Sequence, residues 1–180
     1  MSRSSVRCLV VLLVWSWFAS GELQASEVSF GAGFASPEDL QEAGQSFDLK
    51  NPQLVFVRYE KDFFIILGVE QNLTLARRWF ISSSGEGREG LYYLANGVIN
   101  FPVGNIVPNL VVGIGLQHQF GSGFPDLGTS FLTDWGCGLK FRELGGPLGF
   151  RIDYRRLGVR GAADETVTTQ EMTFGLLLTF

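Results

Sequence analysis

Residues 150–155 run Phe-Arg-Ile-Asp-Tyr-Arg, and few folds tolerate that order. On a β-strand successive side chains point to opposite faces, so Phe150, Ile152 and Tyr154 share one face while Arg151, Asp153 and Arg155 share the other. A strand crossing a bilayer must turn the charged face away from lipid, because a basic side chain on the lipid face near mid-bilayer costs about 2–4 kcal/mol. The charges then need an enclosed interior, and a closed barrel supplies one.

The rest of the chain repeats the pattern. Eight stretches alternate in polarity with a period of two and are rich in Val, Ile, Phe, Tyr, Thr and Gly: 27–35, 53–61, 64–75, 91–101, 108–118, 131–142, 148–156 and 171–180. Most match the roughly 9–11 residues with which a tilted strand crosses a bilayer. The connections alternate in length: 36–52, 76–90, 119–130 and 157–170 are long, whereas Asp62-Phe63, Pro102 to Val107 and Glu143 to Pro147 are short. Long loops at one end and tight turns at the other predict an all-β, eight-stranded antiparallel up-and-down transmembrane β-barrel, with both termini on the short-turn, periplasmic side. Pro102, Pro108 and Pro147 are expected at turn edges, where a missing N–H costs no ladder bond. The stretch Pro37 to Ala43 is expected to form a helical turn or two within the first long loop.

The same division of faces recurs elsewhere. Met172, Phe174, Leu176, Leu178 and Phe180 oppose Glu171, Thr173, Gly175 and Thr179, and Phe131, Trp135, Cys137, Leu139 and Phe141 oppose Asp134, Gly136, Gly138, Lys140 and Arg142. With Arg58 and Glu60 from the second stretch and Glu70 from the third, the interior set becomes Arg58, Glu60, Glu70, Asp134, Lys140, Arg142, Arg151, Asp153, Arg155 and Glu171. Eight strands enclose a space only wide enough for side chains. Charges held there must pair, since an isolated buried ion costs several kcal/mol. The set therefore reads as a structural plug of salt bridges and water, in preference to a catalytic or ion-conducting constellation, with interior glycines leaving room for the long Arg and Lys side chains. Tyr59, Phe63, Phe64, Trp79, Phe80, Phe101, Phe131, Trp135, Tyr154 and Phe180 lie near strand ends and suit aromatic girdles at the two interfaces.

Residues 1–25 read as a cleaved secretory signal: Arg3 and Arg7 precede the apolar run Cys8 to Ala19, and Leu23-Gln24-Ala25 suits a peptidase. The barrel domain is then 26–180. The chain carries 14 Lys and Arg against 18 Asp and Glu; without Arg3, Arg7 and Glu22 the remainder is 12 against 17, an acidic balance that disfavours nucleic acid as a partner. Cys137 is then the sole thiol, so stability rests on pairing and packing, not on an internal disulfide. Nothing in the sequence has the spacing of a zinc, calcium or phosphate site, and no cofactor is expected.

Several segments together resemble a known family: Leu67-Gly68-Val69-Glu70, Asn100 to Gly104 leading into Val107-Pro108, Gly113 to Leu116, Gly136 to Phe141, and Leu148 to Arg155. The chain is similar to bacterial outer-membrane β-barrel domain proteins of the OmpA/OmpX-like type, without a peptidoglycan-binding domain. The resemblance implies residence in the outer membrane, contact with its lipids, and a terminal Phe180 read as an assembly signal by the barrel-insertion machinery. It implies no single activity. The leading expectation is a monomer with a structural or surface-interaction role, in which the polar loops Ser82 to Glu89 and Gly161 to Thr169 meet an extracellular ligand. One alternative is a lipid A-modifying enzyme, for which His118, the sole histidine, is the candidate; lipid A deacylase barrels carry a Ser two residues after the His, where this chain has Phe120. The other is a narrow pore or a route for small hydrophobic molecules.

Overall fold

The alternating segments form long antiparallel strands that close on themselves. The computed structural model describes residues 26–37, 41–42, 45–46, 52–64, 66–77, 89–120, 129–143, 146–160 and 166–180. The barrel strands are β1 (Ser26–Pro37), β2 (Gln53–Asp62), β3 (Leu67–Arg77), β4 (Glu89–Asn100), β5 (Ile106–Phe120), β6 (Thr129–Phe141), β7 (Leu148–Arg160) and β8 (Thr166–Thr179). Each pairs with its sequence neighbours, and β1 closes the barrel against β8. Ser26 and Phe180 exchange both backbone hydrogen bonds, at 2.9 and 3.0 Å, and lock the seam. The segment expected as a signal, 1–25, lies outside the described residues, as do Trp79 and Phe80.

Strand stagger fixes the dimensions. Stepping from partner to partner round the barrel from Glu27, through Glu60, Glu70, Asn96, Gly113, Asp134, Leu157 and Thr169, the register returns to β1 at Pro37, ten residues further along. A stagger of that size on eight strands tilts them by roughly 40°, so each residue climbs about 2.5 Å along the barrel axis. On β5 the outward residues Ile106, Leu110, Val112, Ile114 and Leu116 are all exposed. From Ile106 to Leu116 is about 25 Å of axis, the height of the apolar band on a transmembrane barrel.

The strand ends differ from the sequence expectation in instructive ways. β3 starts at Leu67, not near 64, because the Phe63 and Phe64 amides both donate to the Leu67 carbonyl and fold the intervening chain into the turn. On the long-connection side the strands run past the bilayer, as in β7, which reaches Arg160. Trp135 and Tyr154, expected at strand ends, therefore stand at the midpoints of β6 and β7. Pro108 lies inside β5, not at a turn edge. It remains compatible with the ladder because its carbonyl accepts from Phe101, so its N faces β4 just where that strand has ended. Of the stretch 37–43, residues 38–40 and 43 lie outside the described residues, and Gln41–Glu42 pairs with Gln45–Ser46 as a short antiparallel ribbon. The β4–β5 turn brings Val103 and Ile106 into a two-residue hairpin with Gly104 at φ 61°, a left-handed position that glycine takes without steric cost.

Candidate functional site: the barrel interior

Every strand sends alternate side chains inward, and these fill the lumen in two zones. The zone nearer the short turns is mainly ionic, with Val98, Val107, Val111 and Leu177 buried beside the charges. Asp153 is its centre: Arg151 grips it through two nitrogens, each at 2.8 Å, and Arg58 Nη1 meets Oδ2 at 2.6 Å. Arg58 also donates to Thr173 and lies 4.0 Å over the Phe56 ring. Arg155 reaches Asp134 at 2.9 Å and Glu70 at 2.7 Å, and Arg151 meets the other Glu70 oxygen at 2.9 Å. Asn96 donates to Glu70 at 3.0 Å, adding a neutral hydrogen bond to a carboxylate already shared by two guanidiniums.

A second group of charges sits closer to the short turns. Lys140 bridges Glu60 at 2.6 Å and Glu27 at 2.9 Å, while Arg142 pairs with Glu27 and, at 3.3 Å, with Asp62. Asn100 donates to both Glu60 and Asp62. Arg151 approaches Glu60 at 3.9 Å and so links the two groups. Gly138 keeps the middle open, since a Cβ there would collide with the Asp153 carboxylate and Asn109.

Of the ten interior residues expected from sequence, nine lie at 1% exposure or less and Arg142 lies half-buried at the mouth. Arg58, Glu60, Glu70, Asp134, Lys140, Arg142, Arg151, Asp153 and Arg155 form one connected set of ion pairs. Glu171 stands apart, accepting a hydrogen bond from Tyr92 at 2.7 Å and making no salt bridge among the described residues. Glu27, Asp62, Asn96 and Asn100 belong to the network but were not in the expected set. Glu27 carried only a faint signal, sharing the parity of Ser29 opposite Val28 and Phe30.

The zone nearer the long connections is mostly hydrocarbon, with the buried Gln117 and Thr169 side chains among it. Ala35, Leu54, Ala76, Leu94, Leu132 and Leu157 pack inside the barrel at 0% exposure, with Tyr92 among them and Val159 against them. Leu54 and Ala76 lie one residue from the upper ends of β2 and β3, and Leu132 and Leu157 three residues from those of β6 and β7. The lumen thus holds an apolar layer at that end, above the ion-paired zone. Glu171 and Tyr92 mark the boundary between the zones.

His118 lies near the upper end of β5 on the outward face. Its cross-strand partners are Leu91 and Thr129, and its ring stacks at 6.5 Å on Phe120. Among the described residues no cluster of His, Cys, Asp and Glu has the arrangement of a metal site.

An outward apolar band around a charged, filled interior defines the class of eight-stranded outer-membrane β-barrels, the fold of the OmpA/OmpX-like proteins. No protein-family model matches the chain, and no curated protein does. Solved structures do. The chain is similar to Neisserial surface protein A, with a TM-score of 0.69 at 14% identity over 88% of this chain and 100% of that one. It is similar to Ail, the attachment invasion locus protein of Yersinia pestis, solved with the heparin analogue sucrose octasulfate, with a TM-score of 0.57 at 21% identity over 87% of this chain and 98% of that one. The outer membrane enzyme PagL matches with a TM-score of 0.53 at 18% identity, over 84% of this chain and 98% of that one. At these identities the likeness is one of fold, and the fold serves a surface protein, an attachment protein and an enzyme alike.

Proposed function

We propose that this chain is a non-conducting, non-enzymatic barrel of the bacterial outer membrane whose role is interaction through the connections at its external rim. The filled lumen carries this reading: ion pairs occupy one zone and leucines seal the other, so the barrel works as a rigid pedestal, not as a pore. Catalysis draws little support from the rim, because His118 meets a phenylalanine ring and its in-register neighbours among the described residues, Leu91 and Thr129, carry no carboxylate. What is left to carry function is the loops, where binding residues on rigid scaffolds concentrate. The barrel acts as a monomer, meets outer-membrane lipids along its band and presents the exposed aromatic end, Phe180, to the assembly machinery. An extracellular ligand of the loops completes the reading. The connection 78–88 supplies the test, since Arg78 and Arg88 are trypsin sites. Trypsin added to intact cells is expected to cut there and leave the barrel core whole. A chain that resists cleavage in intact cells but is cut after lysis overturns surface display.

A further inference from the structure

The outward apolar band does not end at one level on the short-turn side. On β2–β5 it runs on into the turns themselves, where Phe64 is 68% exposed, Val103 is 72% exposed, and Ile66 and Phe101 stand exposed beside them. The two turns touch, since the Asn100 amide donates to the Ile66 carbonyl at 2.7 Å and Leu67 lies opposite Ile99. Their apolar side chains therefore make one surface, continuous with Leu67, Ile99 and Ile106 at the foot of the band. The β6–β7 turn is of another kind. Its described residues are Arg142, half-buried and paired with Glu27 and Asp62, the exposed Glu143, and Gly146 and Pro147.

Backbone polar groups decide whether a turn can enter lipid, because acyl chains offer them no hydrogen bonds. In the β2–β3 turn the Phe63 and Phe64 amides both donate to the Leu67 carbonyl. In the β4–β5 turn Val103 and Ile106 exchange both bonds, the Phe101 amide donates to the Pro108 carbonyl, and the Asn105 carbonyl accepts from Arg142. Pro102 has no N–H to satisfy. The tip of this turn, Gly104, lies two residues beyond Ile106, which at the barrel's tilt is about 5 Å of axis. It thus stays within the headgroup layer, about 5–8 Å thick on each side of the hydrocarbon core.

We propose that the β2–β3 and β4–β5 turns form a lipid-docking surface seated in the periplasmic leaflet, so that the short-turn end is immersed on the β2–β5 side and wet at the β6–β7 turn. An exposed apolar patch marks an interface. This one carries no charge on Phe64, Ile66, Phe101 or Val103 and merges with the lipid-facing band without a polar boundary, which fits acyl chains better than a second protein.

The test makes F64C, V103C and E143C singly, with both native cysteines, Cys8 and Cys137, replaced by alanine. The purified full chain is placed in phosphatidylcholine nanodiscs, which leave both membrane faces open to a charged, membrane-impermeant maleimide. F64C and V103C are expected to react at least about tenfold more slowly than E143C, since neither the reagent's charge nor the thiolate is favoured where water is scarce. All three are expected to react at one rate once the chain is unfolded in urea. The protein itself gives Phe64 and Val103 no such protection, because both side chains are more exposed than covered. Folding of each variant is checked by its mobility shift on boiling, and if V103C does not fold, F64C on the neighbouring turn carries the test. Equal rates for the turn thiols and E143C in nanodiscs overturn the proposal. So does protection that is present in outer-membrane fragments from cells and absent from nanodiscs, because a periplasmic protein is then the cover.

Discussion

Below the level of Tyr92 the lumen is dominated by guanidinium and carboxylate groups, with Val98, Val107, Val111 and Leu177 among them; above it, by leucine and alanine, with Gln117 and Thr169 among them. Both zones solve the same problem, a barrel too narrow for water to flow yet too wide to be left empty. The ionic zone joins residues far apart in sequence, with 95 positions between Arg58 and Asp153 and 113 between Lys140 and Glu27. Each such pair forms in only one register, so the zone specifies how the strands meet, at the expense of desolvating its charges. The apolar layer asks for no partner geometry beyond volume. It closes the top of the lumen, and a defect in it exposes the charges below to the outside.

The difference is testable by how each zone fails. Asp153→Ala is expected to have the largest effect, about 3–5 kcal/mol, because it leaves Arg58 and Arg151 buried without their shared carboxylate. The urea midpoint for unfolding in detergent micelles reads it. Adding Arg58→Leu to Asp153→Ala should recover part of the loss, since a charge without a partner is removed with it. Leu157→Ala should cost less, about 2–3 kcal/mol, by cavity formation among Leu54, Leu94 and Leu132. Combined with Leu132→Ala, however, it should give a planar-bilayer conductance that wild type and Asp153→Ala lack. A double variant that remains silent would mean that the leucines are packing alone and that the ionic zone is itself the seal.

The ionic zone was largely legible in the sequence, and the apolar layer was not. Arg151, Asp153 and Arg155 declare their face because three charges in one strand share a parity against three large apolar residues. Glu27 has the same parity signal in a strand whose inner face is otherwise Ser29, Gly31, Gly33 and Ala35, too faint to mark one glutamate as a partner of Lys140 and Arg142. Asp62 was read as turn because the second stretch was ended at 61, one residue short of the observed strand. Leu54, Leu94, Leu132 and Leu157 point inward, against the rule that apolar side chains of such barrels face lipid. Only their shared height makes them a layer, and height depends on the stagger between strands. Nothing within a single segment encodes that stagger, which is also why the particular ion pairs could not be named from sequence.

The boundary offers the smallest effect and the finest test. Tyr92 belongs by packing to the apolar layer, yet its hydroxyl serves the one interior carboxylate that makes no salt bridge among the described residues. Glu171 accepts from Tyr92 through one oxygen, while the other makes no hydrogen bond to the described residues. Tyr92→Phe keeps the ring and its packing and removes only that donor, so the loss should be about 1–2 kcal/mol, the cost of leaving a buried acceptor short of a partner. Tyr92→Phe with Glu171→Gln should fall below the sum of the two single changes, because the pair shares one bond. Additive losses in the urea midpoints would detach Glu171 from the apolar layer and move the boundary down to Asp134. A loss as large as that of Asp153→Ala would instead make Tyr92 a member of the ionic zone, held there by its hydroxyl more than by its ring.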